Sequence, residues 1–219
     1  MTLAEELAAQ RRRAWETRSP EEREVRARAV ADVDEAGIAA AALTFGESIP
    51  RFTLPDASGR PVSSADLLAA GPVVISFYRG GWCPYCNLEL RSLQGKLSEF
   101  RELGATLVAI SPELPDRSLS TVEKNELTFP VLSDVGNRVA REFRLVHPIA
   151  PDVVAYQLGN GNDVAAFNGA AVAEVPLPAT YVVDRTGRVG YAFVSADYTR
   201  RSEPDEVLAV VRRLDAGGG

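Results

Sequence analysis

Apolar and polar positions follow three regimes along the chain. Over residues 3–41 they keep a helical period, with charges of both signs between them. Leu3, Leu7 and Ala8 share one face, and Arg11 to Arg13 open a mixed-charge stretch. Ser19-Pro20-Glu21-Glu22 starts a second helix, with Ser19 as cap, Pro20 at the first position and acids in the first turn. That helix is predicted to run to about Asp34, and Gly37 interrupts the stretch beyond it. The alternating charges suit a solvated, packed or dimer-forming appendage.

From residue 45 the pattern changes to short apolar runs separated by turn residues. Leu54 to Val62 reads as strand, tight turn, strand, and Ser64 is expected to cap a short helix over Ala65 to Ala69 that Gly71 ends. Val73 to Tyr78 is an unbroken apolar run, hence a buried strand. Leu90, Leu93, Leu97 and Phe100 form a helical stripe that Gly104 stops, and Ala105 to Ile110 is a second buried strand with Ser111-Pro112-Glu113 at its end. Helices are predicted over Asp116–Leu127 and Val135–Phe143, with a short strand, Phe129 to Leu132, between them. Residues 146–176 show no clear period, and Gly159 to Asp163 read as a surface turn.

The third regime is a hairpin. Leu177 to Asp184 and Val189 to Val194 are strands about the turn Asp184–Arg188, and Glu203-Pro204-Asp205-Glu206 opens a last amphipathic helix carrying Val207, Leu208, Val211 and Leu214. Gly217 to Gly219 read as a frayed tail. The order predicts an α/β domain with a mixed sheet over 45–216, preceded by a helical extension over 1–44.

Composition narrows the partners. Across 219 residues the formal net charge is −6, which argues against nucleic acid. No apolar run reaches the length a membrane helix needs, and the first residues lack a basic start and apolar core, so a cytoplasmic location is expected. The chain holds 2 cysteines, too few for a disulfide scaffold.

Those cysteines sit where the first buried strand meets a helix, in Phe77-Tyr78-Arg79-Gly80-Gly81-Trp82-Cys83-Pro84-Tyr85-Cys86. A Cys-x-x-Cys opening a helix after a strand is a thiol–disulfide redox pattern. Pro84 suits the first helical position, which puts Cys83 at the cap and Cys86 in the first turn, where unpaired N–H groups and the helix dipole favour a thiolate. Arg79 is a candidate source of further positive charge. Trp82 and Tyr85 flank the thiols. Glu89, one turn after Cys86, is expected on solvated helix surface. His147, before Pro148, is expected as a surface histidine. No organic cofactor or resident metal is required. A zinc site built from the two cysteines, His147 and a carboxylate is the competing reading, as is a redox sensor that does not turn over.

The chain from about Gly46 to Leu214 resembles the thioredoxin superfamily, and more closely its peroxiredoxin branch, the alkyl hydroperoxide reductase/thiol-specific antioxidant proteins. The carriers are Ile49 to Asp56, Phe77 to Cys86 and Pro178 to Asp184. The resemblance implies a thioredoxin-like fold, a mixed central sheet flanked by helices. It also implies an antioxidant thiol peroxidase that cycles Cys83 and Cys86 between dithiol and disulfide. Peroxide or a disulfide is the implied substrate, and thioredoxin or a low-molecular-weight thiol the implied reductant; a homodimer is compatible with it. A thioredoxin-like disulfide reductase is the alternative. Read as a thioredoxin, Cys83 is the exposed attacking thiolate, Cys86 resolves, and Pro178 becomes the cis-proline facing the pair, with Thr180 lining the site. Read as a peroxiredoxin, whose pattern is Pro-x-x-x-Thr-x-x-Cys, the peroxidatic position falls on Cys86. The proline position then falls on Arg79, the threonine on Cys83, and the later-strand arginine on Pro178.

Overall fold

The structure, a computed structural model, describes residues 1–216, so the three terminal glycines lie outside the described residues. Two long helices come first, α1 (Leu3–Thr17) and α2 (Pro20–Glu35). Thr2 and Glu5 close the start of α1 with a reciprocal capping box, and Ser19 caps α2 by accepting from the Glu22 N–H, with Pro20 in its first turn. Gly37, at φ 68°, turns the chain into α3 (Ile38–Ala41).

β1 (Thr53–Pro55) and β2 (Pro61–Ser63) pair antiparallel, as their turn signal predicts. The cap of α4 (Ser64–Ala70) is Ser63, not Ser64. The Ser64 hydroxyl is drawn into the protein instead, where it accepts from the Phe52 N–H at 2.9 Å. After β3 (Val73–Phe77), the expected single helix divides at Lys96 into α5 (Pro84–Gly95) and α6 (Leu97–Glu102). Then come β4 (Thr106–Ser111), α7 (Pro115–Lys124), β5 (Val131–Ser133) and α8 (Arg138–Glu142). The aperiodic segment folds as β6 (Val146–Pro148), α9 (Pro151–Gly159), α10 (Val164–Phe167) and β7 (Glu174–Pro176), with β6 and β7 paired antiparallel. β8 (Ala179–Val183), β9 (Val189–Val194) and α11 (Pro204–Ala216) complete the chain.

The central sheet runs β5-β4-β3-β8-β9, with β3, β4 and β5 parallel, β8 reversed, and β9, antiparallel to β8, again running with β3. It is covered on both faces, which is why β3 and β4 read as unbroken apolar runs. Side chains of β3 alternate between two cores. Val74 points to the face holding Leu90, Leu93, Phe100 and Val211, while Ile75 and Phe77 meet Phe143, Leu145 and Tyr181 on the other. The N-terminal helices pack back onto this body. Leu3 and Leu7 of α1 enter the first core, and Val25 of α2 joins Ile149, Val153 and Val175 in a third cluster. The segment 146–176 lacks a visible period because its buried apolar positions, Ile149, Val153, Val164, Ala173 and Val175, cluster with Val25 of α2 and one another apart from the two cores of the central sheet. Among the described residues no helix is long and apolar enough to cross a membrane.

Candidate active site

β3 ends in the middle of the sheet and hands the chain to α5 through Gly80 and Gly81. Both positions exclude a side chain. A Cβ on Gly80, at φ 142°, would lie 2.3 Å from Trp82 Nε1, and one on Gly81 would lie 2.1 Å from Thr121 Oγ1. The turn is pinned from several sides. The Gly81 N–H donates to Glu113 Oε2 at 2.8 Å, and Asn87 Nδ2 donates to the Gly81 carbonyl at 2.9 Å. Asn125 holds Asn87 in turn, at 3.0 Å. Pro84 then opens α5 with Cys83 at its cap, as the spacing predicts.

Both cysteines are free thiols and both are buried, Cys83 at 1% exposure and Cys86 at 0%. The expectation of an exposed Cys83 is therefore corrected: Trp82, Tyr85 and Tyr198 roof the helix start. Cys83 nonetheless lines a groove with Arg79, Trp82, Pro84, Tyr85 and Tyr198. The Cys83 thiol is held well below its usual range by a hydrogen bond from Cys86, against the opposing effect of burial and with help from Arg79 and Arg201. The Cys86 thiol is pushed well above its range by burial and by the Cys83 charge. One proton is thus shared unequally, with the thiolate favoured on Cys83.

Arg201, which no sequence pattern singled out, reaches the pair from the loop before α11. Its Nη2 donates to Cys86 Sγ at 3.0 Å, its Nε pairs with Glu89 Oε2, and its Nη1 donates to the Tyr198 carbonyl at 2.9 Å. Glu89 is not on solvated helix surface: it is 1% exposed and also accepts from Thr180 Oγ1 at 3.1 Å. Burial raises its carboxyl, and Arg201 opposes that rise. Thr180 of β8 thereby touches the site through Glu89. The arginine position of the peroxiredoxin pattern fell on Pro178 along the chain, but in space a guanidinium arrives from Arg201.

Arg79 is 5% exposed and lies between two rings, with its guanidinium carbon 4.8 Å from the Trp82 ring centre and 4.7 Å from that of Tyr198. Tyr198 also packs edge-on against Tyr85, with centroids 5.7 Å apart. Pro178 does not follow a cis bond: among the described residues every peptide is trans. Pro178 lines a neighbouring cavity with Arg79 and His147, away from the thiol groove. His147 is half-buried there rather than on the surface. Its Nδ1 lies 2.9 Å from the Pro148 carbonyl, and burial, aided by the Arg79 charge, pushes its pKa down to about 4. Among the described residues no group of three or more His, Cys, Asp or Glu side chains could hold a metal ion.

A five-stranded mixed sheet with a dithiol at the start of the helix after its central strand defines a thioredoxin-like, peroxiredoxin-like protein. The profile of the AhpC/TSA family matches residues 45–192, and the chain belongs to that family. Peroxiredoxin Q of the Sedum lineare chloroplast is 35% identical over 80% of this chain and 81% of its own. A Mycobacterium tuberculosis protein carrying a peroxiredoxin name is 37% identical over 44% of this chain, and the match spans 61% of that relative's length. The crystal structure of peroxidoxin BcpB from Mycobacterium tuberculosis superposes with a TM-score of 0.61 at 26% identity, covering 78% of this chain and 97% of that one. The match to the family begins after α1, α2 and α3, so the helical extension lies outside it.

Proposed function

We propose that the protein is an antioxidant thiol peroxidase in which Cys83 attacks and Cys86 resolves. The observation that supports this most is the division of labour within the pair. Cys83 lines the groove and carries the favoured thiolate, whereas Cys86 is sealed beneath it and donates to it. The Cys83 thiolate attacks the outer oxygen of a peroxide ROOH. An S–O bond forms, the O–O bond breaks, and the leaving alkoxide takes a proton from solvent in the groove to give ROH. Cys86 then attacks the Cys83 sulfenic sulfur. The S–S bond forms, and hydroxide leaves with the Cys86 proton as water. An external dithiol such as thioredoxin returns two electrons and two protons, restoring both thiols. The Arg201 guanidinium beside Cys86 steadies the sulfur as it loses its proton.

The test is peroxide oxidation followed by stopped-flow tryptophan fluorescence, with mass spectrometry of the product. Trp82 adjoins the pair and reports its state. In Cys86→Ser the fast phase should persist and end in a dimedone-trapped sulfenic acid on Cys83. In Cys83→Ser it should vanish. A fast phase that survives in Cys83→Ser would assign the attack to Cys86, the position the peroxiredoxin pattern indicates. Peroxide rates equal to those of a free thiol in the wild type would favour the disulfide-reductase reading.

A further inference from the structure

Beside the thiol groove lies a second cavity of about 520 Å³, the size of a small-molecule site, walled mainly by apolar side chains. One wall is α2, through Ala29, Val30 and Val33. The opposite wall is the segment from His147 to Val153, with Leu177 and Pro178 as floor. Arg79 lines both this cavity and the groove that holds Cys83. Because α2 precedes the residues that match the family, one wall of this cavity comes from the extension, while Arg79, the His147–Val153 wall and Leu177–Pro178 belong to the shared domain.

The charges around the cavity are unbalanced at its inner end. Arg26 is neutralised by Glu22, at 2.7 Å, and Asp32 stands exposed at the rim. His147 is neutral at ordinary pH. That leaves Arg79, which is buried, pairs with no carboxylate among the described residues, and has no hydrogen-bond partner on Nε. The two ring faces beside it attract the cation but accept none of its in-plane N–H bonds. A buried guanidinium without an anion is costly, and the geometry it lacks is a planar, two-oxygen acceptor.

We infer that the cavity binds an anionic amphiphile, a carboxylate with an apolar chain, whose head meets Arg79 and whose chain lies between α2 and the His147–Val153 segment. The ligand is held between the extension and the shared domain and reaches the edge of the thiol groove without entering it. Binding needs no sulfur chemistry, so it stands or falls apart from the peroxidase reading.

Isothermal titration of the reduced full chain with decanoate tests this directly. One site per chain is expected, with decan-1-ol and decyltrimethylammonium each binding about tenfold or more weakly because they lack the charge-assisted pair. Ala29→Trp and Val33→Phe fill the cavity and should abolish decanoate binding. Ala31→Trp, on the exposed side of the same helix, should leave it unchanged. Arg79→Leu should make decanoate and decanol equivalent. Absence of decanoate binding by the wild type overturns the proposal, as does undiminished binding in both filled variants. Decanol binding as tightly as decanoate to the wild type would overturn the assignment of the head to Arg79.

Discussion

The two sulfurs sit three residues apart on one helical turn, yet their surroundings are opposites. Cys83 meets a groove and an arginine stacked between aromatic rings, with a hydrogen bond from the other thiol. Cys86 meets a closed polar network, Arg201–Glu89–Thr180, in which each buried group has a partner. Reactivity here is therefore not a property of the Cys-x-x-Cys spacing. The helix start favours a thiolate at either position, and the neighbours decide which sulfur carries the charge and which keeps the proton.

Removing one sulfur at a time separates the two environments most sharply. Turnover with thioredoxin as reductant should fall to background in both Cys83→Ser and Cys86→Ser, since neither can close the disulfide, and a coupled NADPH assay checks it. A Cys86→Ala variant, which has no side-chain donor, should also lose the hydrogen bond that favours the Cys83 thiolate. Its iodoacetamide reaction should then move to higher pH than in the wild type.

The next largest effect belongs to the closed side. Arg201→Met strands Glu89 in the interior and should destabilise the fold by about 3 kcal/mol in urea unfolding, the scale of a broken buried pair. Adding Glu89→Gln should recover part of that loss, because a neutral amide needs no cation. If Arg201→Met leaves stability unchanged, the network is not what holds the loop before α11.

A pH series compares the buried carboxylate on the open side with its neutral mimic. Burial raises Glu113 to about 7, against the hydrogen bond from Gly81. The folded protein therefore binds that proton more tightly than the unfolded chain. This contribution is present in full below the ordinary carboxylate range and is lost as pH rises through about 7, an effect of about 3 kcal/mol at most. Thermal unfolding of Glu113→Gln should thus gain on the wild type as pH rises from about 5 to about 8. A constant gap between the two would remove Glu113 as the source.

The smallest change expected is Thr180→Val. It removes one hydrogen bond to Glu89 and should cost about 1 kcal/mol with little effect on the first oxidation by peroxide. A large loss of oxidation rate instead would mean that the closed side tunes Cys83 as strongly as the open one.

Much of this molecule was legible along the chain. Pro84 after Cys83 placed the thiols at a helix start, the apolar runs at Val73 and Ala105 marked doubly covered strands, and Asp184 to Arg188 marked the hairpin. These are local signals, set by propensity and by burial on both faces of a strand. Glu89 was misread because a single acid on a helix is normally solvated. Arg201, 115 residues from Cys86, carried no signal at all.

The dithiol, its position at the end of a central strand and the class of fold around it can all be read from the chain, since each follows from neighbours a few residues away. Packing alone determines which sulfur is sealed, that Arg201 and Glu89 meet beneath it, and that α2 returns to wall a cavity beside Arg79. Those outcomes depend on groups brought together from distant parts of the chain, and the charge or neutrality of each is settled by partners that no local pattern encodes.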